Sequence, residues 1–336
     1  MSVALPRSFS LQHFIDSIPL TENEKAARYP YLSYCYGENR ILGEYYTPLI
    51  ANYFGLEDDP SIYIAKRLSS YLRAYTIVDD DLKDTPEQNA DKTWPELKTF
   101  FLDRVREEAR LLSKEGILAE DILEAELGTY HRTSEAYSKK HAEGNINDAD
   151  DSYIDGYADR MATIRVPFLM LGSKVQNTDL TVYGCRGIDD LIKSLQLLDD
   201  LVDWKEDLGA DRLTYPFLCY LATLLHGMEQ GEIQGLSFSE KRKLACSVKI
   251  SVNYSRFSSI ARRQLELAAA SLDSVVTLLA HGAGSELLGY VDKIRHQVAW
   301  ALSTNGKEHN KTGLIRRIRR SGAAPLRSLQ ERGRSG

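Results

Sequence analysis

Cysteine is scarce in this chain of 336 residues: four in all, Cys35, Cys185, Cys219 and Cys246, with no CxxC pair. A disulfide or zinc framework needs clustered cysteines, so neither organises this fold, and the four are expected as buried thiols in a reducing cytoplasm. Long apolar runs are missing as well. The longest, 213–225, falls short of the ~20 residues a helix needs to cross a bilayer, so no integral membrane segment is expected. The first residues lack the basic start, apolar stretch and small-residue cleavage site of a secretory leader, and a cytoplasmic location is expected. Ten prolines and 22 glycines are too few and too scattered for a Pro- or Gly-rich linker, and no repeat of fixed period is present.

What is present is a hydrophobic fraction of 43% and a charged fraction of 27%, the balance of a globular domain with a substantial core. The net charge of −6 is unevenly spread. From position 306 onward there are nine Lys/Arg and two Asp/Glu, a local +7, which leaves −6 − 7 = −13 for the rest. Such a tail could in principle touch nucleic acid or an anionic membrane. Its low apolar content favours a solvated, disordered 306–336 segment after a single domain at 1–305, with no nucleic-acid partner.

Apolar residues recur at three- and four-residue spacing almost throughout, and strict alternation is rare. The pattern predicts helices near 38–54, 60–84, 94–112, 116–142, 150–173, 185–208, 213–227, 238–274 and 284–304, with Pro86, Gly184 and the glycines at 231–235 between them. The expected fold class is all-α, long helices around a common core. The acidic stretch GNINDADDS at 144–152 has no apolar partner and reads as a solvated loop.

Two other acidic stretches are different. YTIVDDDLKD at 75–84 places aspartates directly after Ile77 and Val78, and LQLLDDLVDWKED at 195–207 repeats the arrangement. At ~100° per residue, Asp199, Asp200, Asp203 and Asp207 share one arc with Ile192 and Gln196. Leu191, Leu195, Leu198 and Val202 flank that arc on one side, and Leu197, Leu201 and Trp204 on the other. In the first stretch Asp80 and Asp84 share a face, Asp81 lies beside them, and Asp79 turns to the apolar side with Leu68, Leu72 and Tyr75. Stacked carboxylates beside a core repel strongly unless they protonate or bind something positive. Hard divalent cations with oxygen ligands, Mg²⁺ above all, resolve that conflict.

Three other readings compete. An EF-hand is excluded, because DDDLKD has no glycine at its sixth position and its loop has no closing glutamate. A di-iron bundle is disfavoured, because none of the seven histidines stands three residues after a glutamate. Two charge-laced solvent helices, salt-bridged to a partner helix, would explain one stretch but fit poorly two of matching pattern.

At this point the sequence resembles the class I isoprenoid enzymes, the trans-prenyl diphosphate synthases and class I terpene synthases. Asp80-Asp81-Leu82-Lys83-Asp84 matches their first DDxxD motif, and Gln196-Leu-Leu-Asp199-Asp200-Leu-Val-Asp203 looks like the second, Q-x-x-D-D-x-x-D. Arg212-Leu213-Thr214-Tyr215-Pro216 is similar to the K-x-T-x-P segment that follows, and YADRMATIRVPF at 157–168 resembles the helix whose Lys-Thr pair contacts diphosphate, with Arg165-Val166 there. The likeness covers 30–304.

The resemblance implies an antiparallel helical bundle, its two acidic motifs facing across a central apolar cavity. It implies three Mg²⁺ ions held by Asp80, Asp81, Asp84, Asp199, Asp200 and Asp203, with Asp80, Asp84 and Asp199 the most important for catalysis. Those ions would bridge to the diphosphate of an allylic substrate and promote ionisation of its C–O bond. Arg165, Arg212 and Lys193 would bind the departing diphosphate. Homodimers are common in the family.

The chain also departs from the chain-elongating members. Their N-terminal Gly-Lys-Arg segment is replaced by Gly37-Glu38-Asn39-Arg40, and the arginine pair after the first motif is missing from TPEQNADK, where Lys92 is the one cation. A second diphosphate needs those charges, so one diphosphate is the better match. The expectation is a terpene synthase that ionises a C10–C20 prenyl diphosphate and cyclises or quenches the cation. The alternatives are a prenyltransferase condensing with isopentenyl diphosphate or another acceptor, a head-to-head condensing enzyme, and an inactive helical partner subunit.

Overall fold

The computed structural model describes residues 11–40, 43, 46–84, 93–143, 151–209, 215, 219, 237, 240, 254–282 and 285–303. Among them are eleven α-helices, one 3-10 turn and no strand. The all-α expectation is met. The chain divides into two compact units: Met1–Ala125 with Val166–Thr181 and Gly282–Gly284, and Glu126–Arg165 with Val182–His281 and Ser285–Gly336.

The first unit contains α1 (Leu11–Ser17), α2 (Glu22–Arg40), α3 (Thr47–Phe54), α4 (Ser61–Asp84), α5 (Thr93–Lys114), the start of α6 (Ala119–Glu143) and α8 (Val166–Val175). Its central element is α4, which packs on α2, α3, α5 and α8. Residues on all its faces are buried, among them Ala65, Leu68, Tyr71, Leu72, Ala74, Ile77 and Val78, as a helix surrounded by others requires. Against it α5 turns the stripe Leu97, Phe101, Val105, Ala109 and Leu112. That stripe also carries Glu108, buried but paired with Arg67 of α4 at 2.6 Å. Phe168 of α8 sits edge-on to Tyr53 and Phe54 of α3, with ring centroids 5.4 and 5.7 Å away. At the end of α5, Gly116 takes φ +80°, which lets the Ile117 N–H reach back to the Leu112 carbonyl and close the helix.

α2 is not anticipated by the periodicity. Pro30 in its middle removes a backbone donor and reads locally as a breaker, yet the helix runs through it. A capping box starts it: Thr21 Oγ1 accepts from the Glu24 N–H, and Glu24 Oε2 accepts from the Thr21 N–H. The predicted helix over 60–84 matches α4 closely, and those at 94–112, 116–142 and 284–304 match α5, α6 and α11 (Ser285–Ser303) within about three residues.

The second unit holds the rest of α6, α7 (Asp151–Arg160), a 3-10 turn (Ala162–Arg165), α9 (Thr178–Gly209) from Val182, α10 (Tyr254–Leu279) and α11. The single helix predicted over 150–173 is broken by the 3-10 turn at Ala162–Arg165, and Pro167, which supplies no backbone donor, stands in the first turn of α8, where none is needed. Gly184, expected between helices, lies inside α9. Ser274 Oγ donates to Asp190 at 2.6 Å, and Ser194 Oγ donates to the Ala268 carbonyl at 3.1 Å, so α9 and α10 run antiparallel. Gly187 sets how closely they approach, since a Cβ there would stand 2.9 Å from Leu279. Tyr137, Tyr153, Tyr157 and Tyr215 form a ring cluster, with Tyr153 centred 5.1 Å from Tyr137 and 5.7 Å from both others. The predicted 213–227 helix, the first part of 238–274, most of the 144–152 loop and the basic tail lie outside the described residues.

Candidate functional site

The last turns of α4 carry the first acidic motif, and its aspartates have different surroundings. Asp79 is 1% exposed, on the same side of the helix as Leu72 and Tyr75. Lys83 reaches it at 2.6 Å from one turn along, and Lys98 reaches it at 2.5 Å from α5. Burial alone would raise its pKa, but the two lysine hydrogen bonds outweigh burial and hold the carboxyl below its ordinary value. The partner-helix salt bridge weighed against metal binding is what holds Asp79, whereas Asp81 meets a tyrosine hydroxyl. Asp80 and Asp81 are half-buried. Asp81 Oδ2 accepts from the Tyr31 hydroxyl of α2 at 2.6 Å, and the Tyr31 ring stands edge-on to Trp94 at 4.5 Å. Burial first, then Cys35 and the Asp81 carboxylate, push the Tyr31 phenol well above its ordinary range, so it stays a proton donor. The Asp84 side chain lies outside the described residues.

The second motif lies on α9. Asp200 is 5% exposed. Its Oδ2 accepts from the Tyr157 hydroxyl of α7, and its Oδ1 accepts from Gln196 Nε2 at 3.1 Å, one turn earlier on α9. Tyr157, too, is pushed far up, chiefly by burial and then by the Asp200 charge. Of the apolar flanks expected, Leu191 and Leu198 on one side and Leu197 on the other are buried and Leu195 is exposed, while the side chains of Leu201, Val202 and Trp204 lie outside the described residues. Asp199, Asp203 and Asp207 stand on α9, but their side chains, like all of Arg212, lie outside the described residues. Among those described, no three His, Cys, Asp or Glu side chains form a group suited to a metal ion.

Arg165 closes the 3-10 turn before α8 and meets three carboxylates. Its Nε is 2.9 Å from Glu126, and its Nη1 is 3.0 Å from Asp159 and 3.4 Å from Asp189. Lys193, half-buried, stands one turn along α9 from Asp189. Burial pushes the Asp189 carboxyl up to about 6, against the pull of Arg165 and Lys193, while for Arg165 the opposing effect of burial is outweighed by Asp189 and Glu126, which hold it more firmly charged. The two effects agree once the arginine is seen to serve three acids, leaving a surplus of negative charge. Burial also pushes the Cys185 thiol up to about 12, so it is an inert neighbour.

Compared with protein-family models, curated proteins and solved structures, the chain finds no match.

The motifs are legible in the sequence, but Tyr31, Lys98, Glu126, Asp159 and Asp189 are not singled out there. Tyr157 lies inside a quoted segment without a role. No local signal marks Tyr31 or Lys98, because both act across helices.

A pH dependence follows from Asp189. Its folded pKa lies above its unfolded value near 3.8, so the folded state keeps a proton that the unfolded chain loses between pH 4 and 6. This group's contribution to stability is therefore present at low pH and lost as pH rises through about 6. Asp189→Asn keeps an acceptor for Arg165 without the buried charge. The variant is expected to be about 1–3 kcal/mol less sensitive than wild type to a rise from pH 4 to 7 in urea unfolding. Parallel curves for the two proteins would refute this.

Proposed function

We propose that this protein is a Mg²⁺-dependent class I terpene synthase that ionises a C10–C20 allylic prenyl diphosphate. The observation that carries the reading is the treatment of the aspartates. Asp79 is paired with two lysines, whereas Asp81 and Asp200, one from each motif, each accept a hydrogen bond from a tyrosine hydroxyl, and Asp200 a further one from the Gln196 amide. Hard carboxylate oxygens beside apolar walls are the donor set Mg²⁺ takes, and a phenol or amide donor brings no positive charge to compete with it.

On this reading Asp80, Asp81, Asp84, Asp199, Asp200 and Asp203 would hold the metal, which when bound supplies Lewis-acid stabilisation of the leaving diphosphate. Arg212 and Lys193 would pair with diphosphate oxygens. Arg165 would join them only by exchanging carboxylate partners, since Glu126, Asp159 and Asp189 already engage it. Buried aromatic rings of the kind gathered at Tyr137, Tyr153, Tyr157 and Tyr215 suit a cation that must be kept from water.

The test is incubation of the purified protein with geranyl, farnesyl and geranylgeranyl diphosphates, with and without isopentenyl diphosphate and Mg²⁺, analysing volatile and diphosphate products. Hydrocarbon or alcohol formed with Mg²⁺ and without isopentenyl diphosphate is the expected result. Longer diphosphates formed only with isopentenyl diphosphate would replace this reading by a prenyltransferase. No product and no diphosphate release under any condition would leave a helical partner subunit.

A further inference from the structure

We propose that Tyr31 and Tyr157 are positioning residues, each fixing one aspartate of an acidic motif in the orientation that receives a metal ion. This rests on the metal-dependent reading above. In each unit the arrangement is the same: a tyrosine from a different helix donates its hydroxyl to Oδ2 of a motif aspartate, Tyr31 of α2 to Asp81 of α4, and Tyr157 of α7 to Asp200 of α9.

A carboxylate rotates freely about its last bond unless something holds it, and it offers four lone-pair sites, of which a phenol takes one. The hydroxyl therefore fixes the carboxylate plane without neutralising the charge that attracts a cation. An ammonium in its place would neutralise it, which is the state of Asp79 on the same helix as Asp81. The tyrosines are themselves fixed. Tyr31 abuts Trp94 at 4.5 Å, and Tyr157 is fully packed between Tyr153 and Tyr137. Asp200 has a second neutral restraint in Gln196, one turn earlier on its own helix. Orienting partners of this kind usually change metal affinity by about 10- to 100-fold when removed.

The experiment measures Mn²⁺ binding by electron paramagnetic resonance in the presence of inorganic diphosphate, for wild type, Tyr31→Phe, Tyr157→Phe and a control, Tyr53→Phe. The control also removes a phenol donor, but one whose acceptor is the Leu180 carbonyl at 3.1 Å rather than a motif aspartate. Both motif variants are expected to weaken Mn²⁺ binding by about 10- to 100-fold, and the control to leave it unchanged whatever its melting temperature. Tyr31 is only half-buried, so Tyr31→Phe tests the proposal even where Tyr157→Phe fails to fold. Wild-type affinity in a folded Tyr31→Phe overturns the proposal while leaving the metal reading intact. Absence of any saturable Mn²⁺ site in wild type overturns both.

Discussion

On the proposed metal-dependent reading, Asp80→Ala and Asp199→Ala are each expected to lower the rate of diphosphate release by about 10³-fold or more, with the fold retained. Removing a single group that stabilises developing charge in a transition state costs about 10²–10³-fold, and a metal ligand does more than one hydrogen-bond donor. Stability should not fall in parallel. Asp80 lies in the last turns of α4, where the negative end of the helix dipole already disfavours an acid, and alanine is the better helix former at both positions. The check is release of inorganic diphosphate from farnesyl diphosphate beside a thermal melt. Near-full activity in either variant would show that the metal assignment is wrong.

The largest effect on stability is expected at Asp79. Its side chain is 2% exposed, whereas Lys83 and Lys98 are more than a third exposed, so the partners are unequal. Removing one lysine leaves the carboxylate with the other and should cost about 1–2 kcal/mol, below the usual worth of a charged hydrogen bond because the ammonium groups are partly solvated. Removing both leaves the buried charge without either ammonium, and Lys83→Ala with Lys98→Ala should cost about 3–5 kcal/mol. Adding Asp79→Leu to that pair should recover most of the loss, because the position already faces Leu72 and Tyr75.

The sign of the pH effect follows from the lowered pKa of Asp79. In wild type its contribution is present above the unfolded carboxylate pKa and lost as pH falls through the folded value. The double-lysine variant should lack that acid limb. Urea unfolding at pH 7 and pH 3 measures both, and a double variant as stable as wild type at pH 7 would refute the account.

Asp79 also shows where sequence reasoning succeeds and where it stops. Helical periodicity separates it from Asp80 and Asp81, because 100° per residue is a property of the backbone alone. Lys83, one turn away, is visible for the same reason. Lys98 is not, since its approach depends on α5 packing beside α4. The same limit applies to Tyr31 and Asp81, fifty residues apart, and to Tyr157 and Asp200, 43 apart.

Helix existence follows the same rule. α4 and α5 are recognisable from unbroken apolar stripes, whereas α2 escapes notice because Pro30 is a local signal that tertiary packing and a capping box override. The break before α8 is absent from the periodicity, although Pro167 announces it.

By itself, then, the sequence determined that the chain is helical, which residues carry the two acidic motifs, and which aspartate in the first is turned to the core. These depend on spacing within one helix. Only the tertiary structure decided what each carboxylate meets: two lysines for Asp79, a phenol for Asp81, a phenol and an amide for Asp200, and three acids competing for Arg165. The charge state of an acid depends on the groups within a few ångströms, and these come from helices that no local window relates.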